Sequence, residues 1–144
     1  VPNSHETTRE TPMFASVFLL LYVAHLLADY PLQTDHQAGH KAACGVAGWR
    51  ANLAHAATHV AVCSLALAVA AVVLDEGIGV LPGAAAVVLI GVTHAVIDRR
   101  WPVEAWMRIA RQRKWAAAGG AAHVDQTAHV LVLAVAALAL TALS

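Results

Sequence analysis

Apolar residues fill four long runs of the chain, and each run is broken at one end by two polar residues four positions apart. In the first run, residues 14–33, the pair is His25 and Asp29. The second run carries His55 and His59, the third His94 and Asp98, and the fourth Asp125 and His129. Positions i and i+4 fall on one face of a helix, one turn apart. A helix that crosses a bilayer needs about 20 mostly apolar residues, a length these runs offer. The pattern predicts an all-α protein, a polytopic membrane four-helix bundle in which every span carries one polar pair.

Punctuation along the chain sets the expected boundaries. The first span covers residues 13–30 and stops at Pro31. Residues 34–44 read as a short surface helix, opened by the Thr34–Gln37 capping-box pattern and closed by Gly45 and Gly48. The second span covers 49–74, and Asp75, Glu76, Gly77 and Gly79 make a turn. The third covers 80–97, with Pro82 in its first turn, where proline is tolerated. The fourth covers 123–143, after Gly119 and Gly120. Residues 1–12 form a polar tail, and 13–144 a single four-span domain. The first run is expected to be a retained span rather than a signal peptide. The segment before it sets Arg9 against Glu6 and Glu10, and no small-x-small site follows.

Composition supports spans over one large soluble core: the chain is 59% hydrophobic and 12% charged, against about 25% charged in soluble domains. Net charge is zero, so its distribution carries the information. Eight of the nine Lys and Arg (all but Arg9) lie in two connectors, around Lys41 and Arg50 and between Arg99 and Lys114. The second connector adds Trp101, Trp106 and Trp115, a mixture suited to an interfacial helix on anionic lipid. Nothing in this balance leads to an expectation of nucleic acid; the bilayer is the expected partner, and association with further copies of the chain stays open. Cys44 and Cys63 make no disulfide framework. Cys63 follows His59 by four positions, but its expected role is that of a small apolar residue.

Short turns make successive spans alternate in direction. The pairs sit at the end of spans one and three and at the start of spans two and four, so alternation brings all of them to one side. At about 1.5 Å per residue they would lie one to two turns below the interface. The basic connectors flank that same side. By the positive-inside rule the pairs face the cytoplasm and both termini face out.

Histidine and aspartate within spans are costly and mark function. Imidazole and carboxylate together suit Zn, Mn, Fe or Ni, and two ligands one turn apart can chelate one ion. The expected ligands of one or two divalent transition ions are His25, Asp29, His55, His59, His94, Asp98, Asp125 and His129. Gln33, His36, His40, His123 and Gln126 are candidates to support them from outside. A single His–Asp pair is commonly mere packing glue between spans; four at one depth exceed that need. A ferritin-like di-iron bundle is excluded, since it requires inward Glu and ExxH, and Glu6, Glu10, Glu76 and Glu104 all lie outside the spans.

The segments AHLLADYPLQT, HAATH, THAVIDRR and HVDQTAH resemble the bacterial membrane family called "domain of unknown function 3307". Its pattern is H-L-x-x-D-[FY]-x-L-Q, a later His pair, H-x-x-x-D, and D-Q-x-x-H, which match this chain from His25 to His129. The resemblance implies short multi-span proteins of the bacterial inner membrane and the same site residues, but no assigned reaction. A more distant similarity to membrane-bound metal-dependent hydrolases rests on residue types.

These features lead to an expected function: metal-assisted hydrolysis of an anionic lipid-linked or phosphorylated substrate. The metal would activate water. Asp29 or Asp98 would act as general base, and Arg50, Arg99 and Arg100 would hold a phosphate. The rival class is a non-enzymatic metal-binding or ion- and proton-relay subunit, or an accessory docking a cytoplasmic partner through residues 99–115. The far halves of the runs are apolar, which favours a site over a channel.

Overall fold

The computed structural model describes residues 13–144; the expected tail, 1–12, lies outside the described residues. The first helix, α1 (Met13–Asp29), carries only Ser16 and the Tyr22 hydroxyl as polar groups before His25. Pro31 follows closely, and α2 (Asp35–His40) then opens with the expected capping box. The Gln37 amide donates to Thr34 Oγ1 at 3.2 Å, and the Thr34 amide donates to Gln37 Oε1 at 2.9 Å. The long helix α3 (Gly45–Val73) and α4 (Val80–Ile97) come next, joined by the acidic, glycine-rich turn. After them stand α5 (Trp101–Ile109), the single turn α6 (Arg113–Trp115), a widened turn over Ala116–Gly120, and α7 (Ala121–Ala142). The described residues are all-α and contain no strand.

Helix α2 stops at His40, short of the expected residue 44, and α3 starts four residues earlier than expected, with two glycines at the junction. Gly45 begins α3 instead of closing α2, and its φ of +75° turns the chain at the helix start. Gly48 lies inside α3, where a Cβ would collide with the Ala43 carbonyl, so its missing side chain lets the connector lie against the new helix. As a result α3 runs ten residues past His55 on the side of the basic connectors, placing that pair deeper along its helix than one to two turns. The Arg/Trp connector is likewise broken: Arg111 takes a φ of 58°, ending the α5 segment, and Gly119 a φ of 92°. Gly120 lies beneath the Trp115 indole, which leaves no room for a Cβ.

Helix α1 packs on α3 and α7, α4 packs on the same two helices, α2 lies against α3, and α5 lies against α7 and α4. The shared core is built from Val17, Leu21, Cys63, Leu67, Ile90 and Leu133, with many alanines between them. Cys63 is therefore a core residue, as its chemistry suggested. Small residues let helix backbones approach; at Gly91 of α4 an added Cβ would press on Val60 of α3. Outside, large apolar side chains such as Leu19, Leu65, Val72, Val88 and Leu138 are exposed, while the buried positions include five histidines and two aspartates. Helices α3 and α4 and the run Arg113–Ala142 are long and apolar enough to cross a membrane. Helix α1, with 17 residues, is shorter. It reaches about 25 Å at 1.5 Å per residue, against a hydrocarbon layer of about 30 Å.

Candidate metal centre

Asp29, the last residue of α1, is the hub of the polar interior. Its Oδ1 lies 3.2 Å from His55 Nε2, 3.0 Å from His59 Nε2 and 3.9 Å from His94 Nε2. Its Oδ2 lies 3.1 Å from His25 Nε2 and accepts from Gln126 Nε2 at 3.0 Å. One carboxylate thus gathers side chains from α1, α3, α4 and α7. The geometry follows from the i, i+4 pairs: three of the four put both side chains on the inward face, the fourth puts His129 there, and the antiparallel run of neighbouring helices brings those faces to one level.

Asp98 forms a second centre at the end of α4. Its Oδ2 is 3.3 Å from His94 Nε2 and 3.6 Å from His55 Nε2; its Oδ1 is 3.1 Å from Lys41 Nζ and 4.0 Å from His129 Nε2. Candidate ligand atoms cluster in two groups, Asp29–His55–His59–His94 and His94–Asp98–His129, with all atoms of a group within 4.8 Å of one another. His94 belongs to both. Its ring lies 3.5 Å from that of His59 and 4.2 Å from that of His129, centroid to centroid.

Hydrogen bonding within the protein does not satisfy this cluster. A neutral imidazole has one N–H and one bare nitrogen. If His55 and His59 donate from Nε2 to Asp29, their buried Nδ1 atoms are left without a donor. Neither ring nitrogen of His94 or His129 has a hydrogen-bond partner, nor does Asp98 Oδ2; the close His94–Asp98 contact is not aligned for one. Buried polar atoms are normally paired, and each unpaired one costs about 1–3 kcal/mol. A divalent cation accepts several nitrogen and carboxylate lone pairs at once, and the donor set suits Zn, Mn, Fe or Ni. The residues therefore fit such an ion.

The other expected site residues take varied places. His25 joins Asp29 and also lies 3.2 Å from Gln126 Oε1, but stands outside both ligand groups. Asp125 is at the rim, its Oδ2 3.5 Å from His129 Nδ1, a contact that is not a hydrogen bond. Gln126 reaches inward to Asp29 as a support, and Gln33 Nε2 donates to the Asp29 carbonyl at 2.9 Å. His36 and His40 stack on each other on the exposed α2, and the exposed His123 meets Trp115 edge-on. Arg99 donates to the carbonyls of Lys41 and Ala43 at 2.9 and 2.8 Å and lies over the Trp49 ring. It thereby holds the connector that carries Lys41. Arg50 is exposed beside His36, and Arg100 lines a cavity of about 380 Å³ shared with Lys41, Asp98, Glu104 and Asp125.

Two residues escaped the reading of the sequence. Lys41 counted only as one basic residue of a connector, and nothing local shows that its flexible stem reaches a buried aspartate. Asn52 is fully buried and unpaired at both amide atoms. Its signal was present: Asn52, His55 and His59 stand at i, i+3 and i+7, one helical stripe.

The family model described as "Protein of unknown function (DUF3307)" matches residues 17–144. The chain belongs to the DUF3307 family. That match spans every helix whose side chains enter the cluster, so in this DUF3307 chain the motif residues and the buried polar residues are largely the same. No curated protein and no solved structure matches the chain. The resemblance to metal-dependent hydrolases gains no support from these comparisons.

Proposed function

We propose that this DUF3307 protein is a four-span bundle of the bacterial inner membrane that binds one or two divalent transition ions. We further propose that it hydrolyses an anionic, lipid-linked or phosphorylated substrate at that site. The supporting observation is the convergence of five imidazole Nε2 atoms on two buried carboxylates, with several polar atoms left unpaired. A bound ion would supply Lewis acidity and lower the pKa of a coordinated water. Asp29, His55, His59, His94, Asp98 and His129 would hold it. His94 belongs to both ligand groups, so a single ion bound through it is the simplest stoichiometry.

The reaction needs access, and the cavity over Asp98 supplies it. Its wall holds Arg100 and Lys41, the latter paired with Asp98, together with Glu104 and Asp125, so an anionic group would be held there by the ion as well as by Arg100. The apolar core from Val17 to Leu140 closes the opposite half. Helices α2, α5 and α6 lie in the interface, with Trp101, Trp106 and Trp115 exposed to headgroups.

A second reading, a metal-binding or relay subunit without catalysis, is favoured by Asp29. That carboxylate already accepts from His55, His59 and Gln126 without an ion.

Metal content tests the first reading. Protein purified in detergent without chelator should contain at least one equivalent of a transition ion, gain thermal stability from it, and release phosphate from a phosphomonoester panel. Stoichiometric metal without turnover would support the second reading, and absence of metal with no stabilisation by Zn, Mn, Fe or Ni would sink the metal site.

Orientation has its own measurement. In a cysteine-free background (Cys44→Ser, Cys63→Ala), Glu76→Cys should react with an impermeant maleimide in intact cells and Arg111→Cys should not. The reverse labelling would invert the topology.

A further inference from the structure

The carboxylate of Asp98 already carries a cation. Lys41 Nζ lies 3.1 Å from its Oδ1, and the two side chains are 18% and 2% exposed. The backbone that bears this lysine is held in place. Arg99 donates to the Lys41 and Ala43 carbonyls at 2.9 and 2.8 Å and lies over the Trp49 ring of α3. On the other side, Gly48 has no side chain to push the Ala43 carbonyl off α3. The fold therefore sets an ammonium against one of the two candidate ligand groups.

The two groups are unequal in consequence. Asp29, His55, His59 and His94 offer three imidazoles and a carboxylate, and among the described residues no lysine or arginine pairs with Asp29. His94, Asp98 and His129 offer three donors, and Lys41 competes for the only anion among them. Charge points the same way. Histidines that bind metal are neutral, so the buried cluster holds two negative charges, on Asp29 and Asp98, and one positive charge, on Lys41. One divalent ion takes that balance to a single positive charge, whereas a second would take it to three, and uncompensated buried charge is costly. The surrounding charges do little to change this. Asp125 is 24% exposed at the rim, and Arg100 and Glu104 on the cavity wall oppose each other in sign.

We infer that Lys41 is the fixed second cation of this centre. A single transition ion binds at Asp29, His55, His59 and His94, and the Lys41 ammonium holds the place at Asp98 that a second ion would take. This rests on the metal-binding part of the reading above and is independent of hydrolysis. Lys41 and Asp98 line the same cavity of about 380 Å³, so an ion can reach Asp98 once the ammonium is removed.

The test is the metal content of detergent-purified protein saturated with Mn(II) and then freed of excess ion, with electron paramagnetic resonance on the same samples. Wild type should hold one equivalent and give the signal of an isolated ion. Lys41→Met, neutral and similar in length, should hold two equivalents and give the signal of a coupled pair. Lys41→Gln repeats that test in an independent variant, and Lys41→Arg, which keeps the charge, should stay at one equivalent. Two further variants locate the first ion. His59→Ala breaks only the first group and should lose the ion; His129→Ala breaks only the second and should keep it. Two equivalents in wild type, one or none in both neutral Lys41 variants, or loss of metal with His129→Ala but not with His59→Ala would overturn the inference and leave metal binding itself standing. No metal in wild type or in any variant would remove the metal-binding reading, and this inference with it.

Discussion

Asp29→Ala should strip the protein of its metal and lower its stability by about 3 kcal/mol even before metal is considered. Its carboxylate is buried, accepts from His55, His59 and Gln126 and touches His25. Hydrogen bonds to a charged group are worth about 1.5–3 kcal/mol each, and a buried donor left unpaired costs about 1–3 kcal/mol. The sum overstates the effect, because removing a buried carboxylate also removes its desolvation cost and the imidazoles can turn or admit water. Bound metal widens the gap: at a thousandfold excess over Kd, an ion that binds only the folded form adds about 4 kcal/mol, which the variant forgoes. Thermal melts in detergent, with and without chelator, would separate the two contributions. A variant that keeps stoichiometric metal and wild-type melting would remove Asp29 from the centre of the site.

His94→Ala should have the second largest effect, of a different kind. His94 is the single side chain shared by both ligand groups, and it is sandwiched between the His59 and His129 rings. Its loss breaks either group, so metal content should fall to background whichever group holds the ion. Neither of its nitrogens is paired within the protein, so its removal leaves no hydrogen-bond partner behind. Without metal, the cost should therefore be that of a buried cavity, about 1–3 kcal/mol, less than for Asp29→Ala. With metal, the two variants should converge on the same loss of stabilisation. His36→Ala, on exposed α2, should change neither quantity by more than about 0.5 kcal/mol. If His94→Ala retained a full equivalent of metal, the ion would be held by a set that excludes α4, and the two overlapping groups would not describe the site.

Spacing alone determined much of this protein. The i, i+4 pairs fixed which residues share a helical face, and the alternation of apolar runs fixed that those faces meet at one end. Both are local or topological facts, and the structure unites α1, α3, α4 and α7 as they require. The limits of α4 were legible too, because glycine and proline mark its start and Asp98 its end. What spacing could not assign was rank among the carboxylates. Asp29, Asp98 and Asp125 look alike in sequence, yet the first is the hub, the second faces Lys41 and the cavity, and the third stays at the rim. That difference depends on how far each helix is rotated and shifted against its neighbours, which is set by contacts such as Gly91 with Val60 and by the ten residues of α3 that precede His55. Lys41 and Arg99 show the same limit: both are basic connector residues in sequence. Tertiary structure set one against a buried aspartate and the other against backbone carbonyls, because long flexible side chains find partners that only the folded surface brings within reach.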